Sequence, residues 1–371
     1  MSAAQARLIL ALREPSITLR CSAAEWSALI RTARSANLLG ALAERLDHAG
    51  AACPNPEAAR HLLGARQLSQ RQRQSVRWEA HELRRALAPL GVAVTLLKGA
   101  AYALADLPIS HGRLFGDIDI LVPREELGRI EMQLMLKGWI SAKTDPYDQE
   151  YYRKWMHELP PMTHVRRGTV LDIHHSILPL TALRRPDPTA ILERAGVLEG
   201  FAPFRIPSPE DLAIHCITHF MHEGEMDNGL RDLHDIDGLL RHFGVRAGFW
   251  ERLVKYAIGH DLAVPVAQGL ALSSSVFSTP VPAAVVASLQ HHDSKAALSP
   301  VLNWAYANAL TPEQPTAFGQ SWLARQLLYV RAHALRMPVG QLIRHLSRKM
   351  LMRRQARISQ SPPDPADDRV A

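Results

Sequence analysis

Asp117 and Asp119 stand two residues apart in RLFGDIDILV, the segment from Arg113 to Val122, which is otherwise rich in Ile, Leu and Val around them. On a β-strand, side chains alternate faces with a period of two, so Ile118, Ile120 and Val122 would face a core while both carboxylates leave the opposite face together. Two parallel carboxylates with no basic residue between them repel, and burying them unpaired is unfavourable. A divalent cation relieves that repulsion, and hard oxygen ligands suit Mg²⁺ or Mn²⁺. The pair therefore reads as half of a metal site for phosphate chemistry.

The other half must come from elsewhere in the chain. Thr169 to His175 reads TVLDIHH, a second strand in which Asp172 is flanked by Leu171 and Ile173. Pairing of this strand with the first would bring Asp172 beside Asp117 and Asp119. Two acids at D-x-D spacing plus one from a later strand form the ligand set of a two-metal phosphoryl-transfer site, one ion activating the attacking group and the other neutralising the departing pyrophosphate. Upstream, VTLLKGAAYALADL (Val94 to Leu107) gives a short apolar strand, a break at Lys98-Gly99 and an alanine-rich helix. A strand, a glycine and a helix start place free backbone N–H groups where a triphosphate can rest.

Lys98-Gly99, then Arg113, then Gly116-Asp117-Ile118-Asp119, then Asp172-Ile173-His174 resemble the DNA polymerase β-type nucleotidyltransferase superfamily. The match is nearest to its bacterial branch of "nucleotidyltransferase family proteins". The resemblance covers about Val94 to His175 and extends more weakly over Ser208 to Leu240. It implies an α+β fold with a small mixed sheet flanked by helices, Mg²⁺ (or Mn²⁺) at Asp117, Asp119 and Asp172, and transfer of a nucleoside monophosphate from an NTP to a hydroxyl acceptor. The superfamily's usual Gly-Ser turn is Gly99-Ala100 here, and the gap from Gly99 to Asp117 is long, so no serine hydroxyl meets the phosphates at that turn. Lys98 as a point charge and Arg113 as a planar fork are the expected replacements. Gly99 and Gly116 are the expected close-approach turns of the nucleotide site.

Other groups have plainer readings. Ser208-Pro209-Glu210-Asp211 is a helix start, and His215, His219 and His222 follow on one face of that helix. No H-E-x-x-H arrangement accompanies them, which places a zinc hydrolase behind polar core or interface histidines; His219 or His222 would lie near the substrate if this helix packs on the site. Arg231, Asp232 and Asp235 read as an ion-pair group on a helix face. The aromatic cluster of Tyr147, Tyr151, Tyr152 and Trp155 reads as a satellite core, or as a cover over the site.

The remaining chain must position these groups. Over 371 residues the composition is 47% hydrophobic and 21% charged, that of a globular protein with ample core. Cys21, Cys53 and Cys216 are few, odd in number and far apart, which argues against a disulfide scaffold and fits a cytoplasmic protein without a secretory signal or membrane span. Spacings of three and four predict helices through 1–90, with Ser22 and Ser35 as caps and a long Arg- and Gln-rich helix over 66–86. Glu125 to Leu136 should be a helix covering the sheet, with a strand near Trp139. Beyond Ser208 helices continue, separated by Pro and Ser breaks near 279–283, 299–300 and 311–315. The expected organisation is an N-terminal helical region (1–90), an α/β core (91–180), a C-terminal helical region (181–350) and a tail (351–371) without fixed structure.

A net charge of +7 suits polyanionic substrates: an NTP with a small-molecule, RNA or protein acceptor. The stretch 325–357, rich in arginine with an apolar side, is a candidate nucleic-acid contact or the basic face of a bundle helix. Toxin-like modification of tRNA or protein keeps the same reaction with a different acceptor. A degenerate core serving as a nucleic-acid-binding or regulatory protein is the non-enzymatic rival.

Overall fold

The computed structural model describes residues 2–143, 145–311, 318–338 and 340. The aliphatic runs become a seven-stranded mixed sheet: β1 (Thr95–Leu97), β2 (Asp117–Leu121), β3 (Trp139–Ser141), β4 (Met162–His164), β5 (Val170–His174), β6 (Gly196–Val197) and β7 (Arg205–Ile206). Their order is β3-β4-β5-β2-β1-β7-β6. The central strand β2 runs antiparallel to β1 and parallel to β5. Ile118, Ile120, Leu171 and Ile173 are buried, as period-two alternation requires for the apolar side of β2 and β5. Helices before and after the sheet complete the expected α+β fold.

The N-terminal helices are Ala3–Arg13, Ala23–Ser35, Leu39–His48 and Pro56–Leu87. Ser22 caps the second with a reciprocal capping box to Glu25. Ser35 does not cap the third. It is the last residue of the second helix, and the chain turns through Asn37, whose φ of 54° is left-handed, before helix Leu39–His48 starts behind Leu38 without a side-chain cap. The Arg- and Gln-rich region belongs to one helix of 32 residues, capped by Asn55 with Pro56 at its first position. It packs on helix Leu127–Leu136, and Gln133 Nε2 donates to the Ala86 carbonyl at 2.8 Å.

Two glycines let the N-terminal region close on the loop before β2. A Cβ on Gly40 would fall 2.3 Å from the Gly112 carbonyl oxygen, and Gly112 has a φ of 76°. Any side chain at either position drives the two backbones apart.

After the sheet come helices Pro209–His222, Gly229–Phe243, Phe249–Gly259, Ala263–Phe277, Ala283–His292, Pro300–Ala309 and Gln320–Arg336. Breaks fall near 279–283 and at Ser299, which caps Pro300–Ala309; most of the expected break at 311–315 lies outside the described residues. One apolar core runs from Leu8 through the sheet to Leu328. No helix among the described residues is long and apolar enough to cross a membrane.

The basic stretch 325–357 is described only in part, and residues 341–357 and the tail 351–371 lie outside the described residues. Its described arginines are turned to the protein: Arg325 pairs with Asp227 at 2.7 Å, Arg331 donates to the Met221 carbonyl at 2.7 Å, and Arg336 lies 3.5 Å from Glu223.

Candidate active site

Parallel pairing of β2 with β5 sets Asp119 opposite Asp172 and Asp117 opposite Val170. Period-two alternation then puts the Asp117, Asp119 and Asp172 carboxylates on one side of the sheet. One oxygen from each lies within 4.8 Å of the other two, close enough for a shared cation. Asp117 is exposed, Asp172 half-buried and Asp119 only 1% exposed.

The three carboxylates differ electrostatically. Burial alone would raise the Asp119 pKa, but Lys98 and His174 outweigh it and hold the carboxyl well below the usual range. Lys98 Nζ and His174 Nε2 both reach Asp119 Oδ1, at 2.8 and 2.9 Å. Asp117, though exposed as a residue, is pushed up by the partial desolvation that the groove walls impose and by Asp119. Asp172 is pushed up to about 7, first by burial and then by Asp119 and Glu158. Its Oδ1 is buried with no hydrogen-bond partner. An orphaned carboxylate oxygen between two other carboxylates lacks positive charge, and a hard divalent cation is the ligand its chemistry fits.

The two residues expected at the phosphates, Lys98 and Arg113, both meet carboxylates. Lys98 follows β1 as the first residue of helix Lys98–Leu104 and has a left-handed φ of 43°, which costs a lysine about 1–2 kcal/mol. Burial disfavours its ammonium, but Asp119, with Asp117 and Glu158 behind it, holds its pKa above the ordinary value. Arg113 is largely buried and donates through Nε to Asp235 at 2.8 Å and through Nη1 to the Leu114 carbonyl at 3.2 Å, while its guanidinium lies 5.4 Å from the Phe115 ring centroid. It ties the loop before β2 to helix Gly229–Phe243; Arg231 in that helix pairs with the adjacent Asp232.

Gly99 makes room for that tie, since a Cβ there would sit 2.7 Å from Arg113 Nη1 and 3.0 Å from Phe115 Cδ1. Gly116 meets no such crowding, because a Cβ there finds nothing within 4 Å. It lines a groove of about 180 Å³ with Gln72, Ser75, Phe115, Asp117 and Gly168, which gives Asp117 access to solvent. A larger cavity of about 890 Å³ lies elsewhere, bounded by Arg13, Arg45, His234 and Arg241.

Helix Pro209–His222 flanks the acid cluster. His215 is pushed down to about 3 by burial and then by Lys98 and His174. His219 is also lowered, with Lys98 as the largest cause. His222 points elsewhere, its Nδ1 2.8 Å from the Thr218 carbonyl oxygen. The aromatic residues form helix Pro146–Trp155. Tyr152 rises to about 12 through burial and then the charges of Glu158 and Asp172.

Two neighbours, His174 and Glu158, were not assigned roles from the sequence. His174 was legible: it follows Asp172 by two residues on the same strand and so shares its face. Glu158 arrives through long-range packing and carries no local signal, while Asp235, expected in an ion-pair group on its helix, pairs with the distant Arg113. A family model described as "Uncharacterised nucleotidyltransferase" matches residues 22–278, which span the sheet, the three aspartates and the flanking helices. No curated protein and no solved structure matches the chain. On the family match the chain is a member of this uncharacterised nucleotidyltransferase family.

Proposed function

We propose that this protein transfers a nucleoside monophosphate from an NTP to a hydroxyl acceptor and releases pyrophosphate, using Mg²⁺ or Mn²⁺ held by Asp117, Asp119 and Asp172. The observation that carries the reading is the convergence of three carboxylates from β2 and β5, with Asp172 Oδ1 buried and unpartnered. When bound, the cation supplies neutralising charge for the triphosphate and the departing pyrophosphate.

The chain's own groups divide the remaining work. Asp119, fixed by Lys98 and His174, is the rigid ligand, and Asp117 at the groove is the accessible one. Asp172 ligates the cation through one carboxylate oxygen and offers the other to the acceptor's proton as the hydroxyl attacks. Lys98, whose ammonium lies 2.8 Å from Asp119 Oδ1, is the cation available to the triphosphate. Arg113 supports the loop carrying Gly116 and Asp117 through Asp235, and does not serve as a free phosphate fork. Such chemistry is positioning and electrostatics, so a few fixed charges account for most of it.

The test is incubation with each of the four α-labelled NTPs, Mg²⁺ or Mn²⁺ and a cell extract, followed by locating the label. Label on a small molecule, RNA or protein names the acceptor class, provided Asp117→Asn abolishes it. NTP or RNA binding without transferred label under all conditions would support the degenerate-core alternative.

A further inference from the structure

The segment after helix Pro146–Trp155 runs antiparallel to the end of β5. The His175 amide donates to the His157 carbonyl at 2.8 Å and the Leu159 amide to the Ile173 carbonyl at 2.9 Å, with Glu158 bridged opposite His174. This backbone zipper fixes three side chains of metal-ligating type together: one atom each of His157, Glu158 and His174 lies within 4.8 Å of the others. His174 Nδ1 is 3.3 Å from Glu158 Oε2, and His157 Nε2 is 3.9 Å from the same oxygen. Four tetrahedral ligands at bond lengths of 2.0–2.1 Å stand about 3.4 Å apart, so the first spacing already fits and the second needs a few tenths of an ångström.

A second observation points to a ligand. The His174 side chain is 3% exposed, yet its Nδ1 makes no hydrogen bond. The other ring nitrogen of His174 reaches Asp119 Oδ1 at 2.9 Å. When Nε2–H donates to that carboxylate, Nδ1 faces Glu158 Oε2 at 3.3 Å, and the repulsion between their lone pairs is relieved either by a proton on Nδ1 or by a metal ion held between them. A carboxylate on one imidazole nitrogen and a metal on the other is the usual outer support of a histidine ligand.

We propose that His157, Glu158 and His174 form a separate site for a late transition metal, Zn²⁺ by its donor set, leaving a fourth position to solvent. Two nitrogens and one carboxylate select zinc over magnesium, whereas the all-oxygen aspartate cluster has the opposite preference. Through His174 the zinc site and the aspartate site share one hydrogen bond, so the new site braces Asp119 from behind. Lys98, whose charge opposes a second cation, is neutralised by its own contact with Asp119.

The full-length protein, stripped with a chelator and titrated with Co²⁺ as the probe, tests this without any nucleotide. The expected result is one equivalent giving the strong visible bands of low-coordinate cobalt, displaced by Zn²⁺. The bands should persist in Asp117→Asn and be lost in His157→Ala. Glu158→Gln, nearly isosteric and so the safer variant for folding, should weaken Co²⁺ binding about tenfold or more. Absence of the bands in wild type would overturn the site, leaving His174 as a bridge between two carboxylates. Bands lost in Asp117→Asn but kept in Glu158→Gln would overturn it too, because the metal would then sit on the aspartates. Neither outcome depends on whether nucleotidyl transfer occurs.

Discussion

Replacing Asp172 with Asn should make the protein more stable and less able to use a divalent cation. The carboxyl binds its proton at about 7 in the fold against 3.8 in the unfolded chain. Between those values the native state holds more protons than the unfolded state, so stability falls as pH rises from about 4 to 7 and stays flat above. A shift of about 3 pKa units corresponds to at most about 4 kcal/mol, and solvent reaching this half-buried group reduces that to about 2 kcal/mol. Buried histidines slope the other way: His215 is lowered to about 3, and His175 and His222 to about 4, so their contributions are lost as pH falls below 6.5. The difference between wild-type and Asp172→Asn profiles isolates the carboxylate. Denaturant unfolding from pH 4 to 8.5 in chelator should show the variant about 2 kcal/mol more stable at pH 8 and equal to wild type near pH 4. Adding Mg²⁺ to 100 times its Kd should return about 2.7 kcal/mol to wild type and much less to the variant. A variant no more stable than wild type at pH 8, or one that gains as much from Mg²⁺, would refute the claim that Asp172 is a strained ligand.

Further outcomes follow from the same geometry. Asp117→Asn should cut pyrophosphate release by roughly 100-fold or more while leaving the melting temperature near wild type, since its carboxylate is exposed. Asp119→Asn should cost about 3 kcal/mol as well as activity, because it removes the partner of the partly buried Lys98 and of the buried His174, and urea titration separates the two variants. Asp235→Asn should cost about 3–5 kcal/mol, read by chemical denaturation, since it leaves the Arg113 guanidinium buried and unpaired. Gly99→Ala should destabilise by about 1–3 kcal/mol despite the better helix propensity of alanine, because Arg113 is pinned and cannot yield to a Cβ at 2.7 Å; an unchanged melting curve would contradict that packing.

The sheet and its acids were legible because they rest on local pattern. DIDIL and VLDIH alternate acid and aliphatic residues at the strand period, and the aliphatic residues admit only one burial direction, so both the strands and the shared side of their acids could be read from the chain. Ser208-Pro209 marked its helix for the same reason. What could not be read were partners chosen by tertiary distance. Arg113 sits three residues before Gly116, which suggested a phosphate fork, yet Asp235, 122 residues further on, takes its guanidinium. The contact of Lys98 with Asp119, 21 residues away across the β1–β2 pair, was likewise not announced by any local pattern. Ser35 was misplaced because serine also tolerates the last turn of a helix, and Asn37, not a capping side chain, makes the turn. Glu158 joins the acids through an isolated bridge to His174, which no periodicity announces.

The central claim is that Asp117, Asp119 and Asp172 jointly hold the divalent cation used in nucleotidyl transfer. Crystals soaked with Mn²⁺ and an NTP, recorded at the manganese edge, test it most directly. The expected result is an anomalous peak bonded to an oxygen from each of the three aspartates and to the triphosphate. A nucleotide-bound crystal whose manganese lies away from these carboxylates, or touches only one of them, would contradict it.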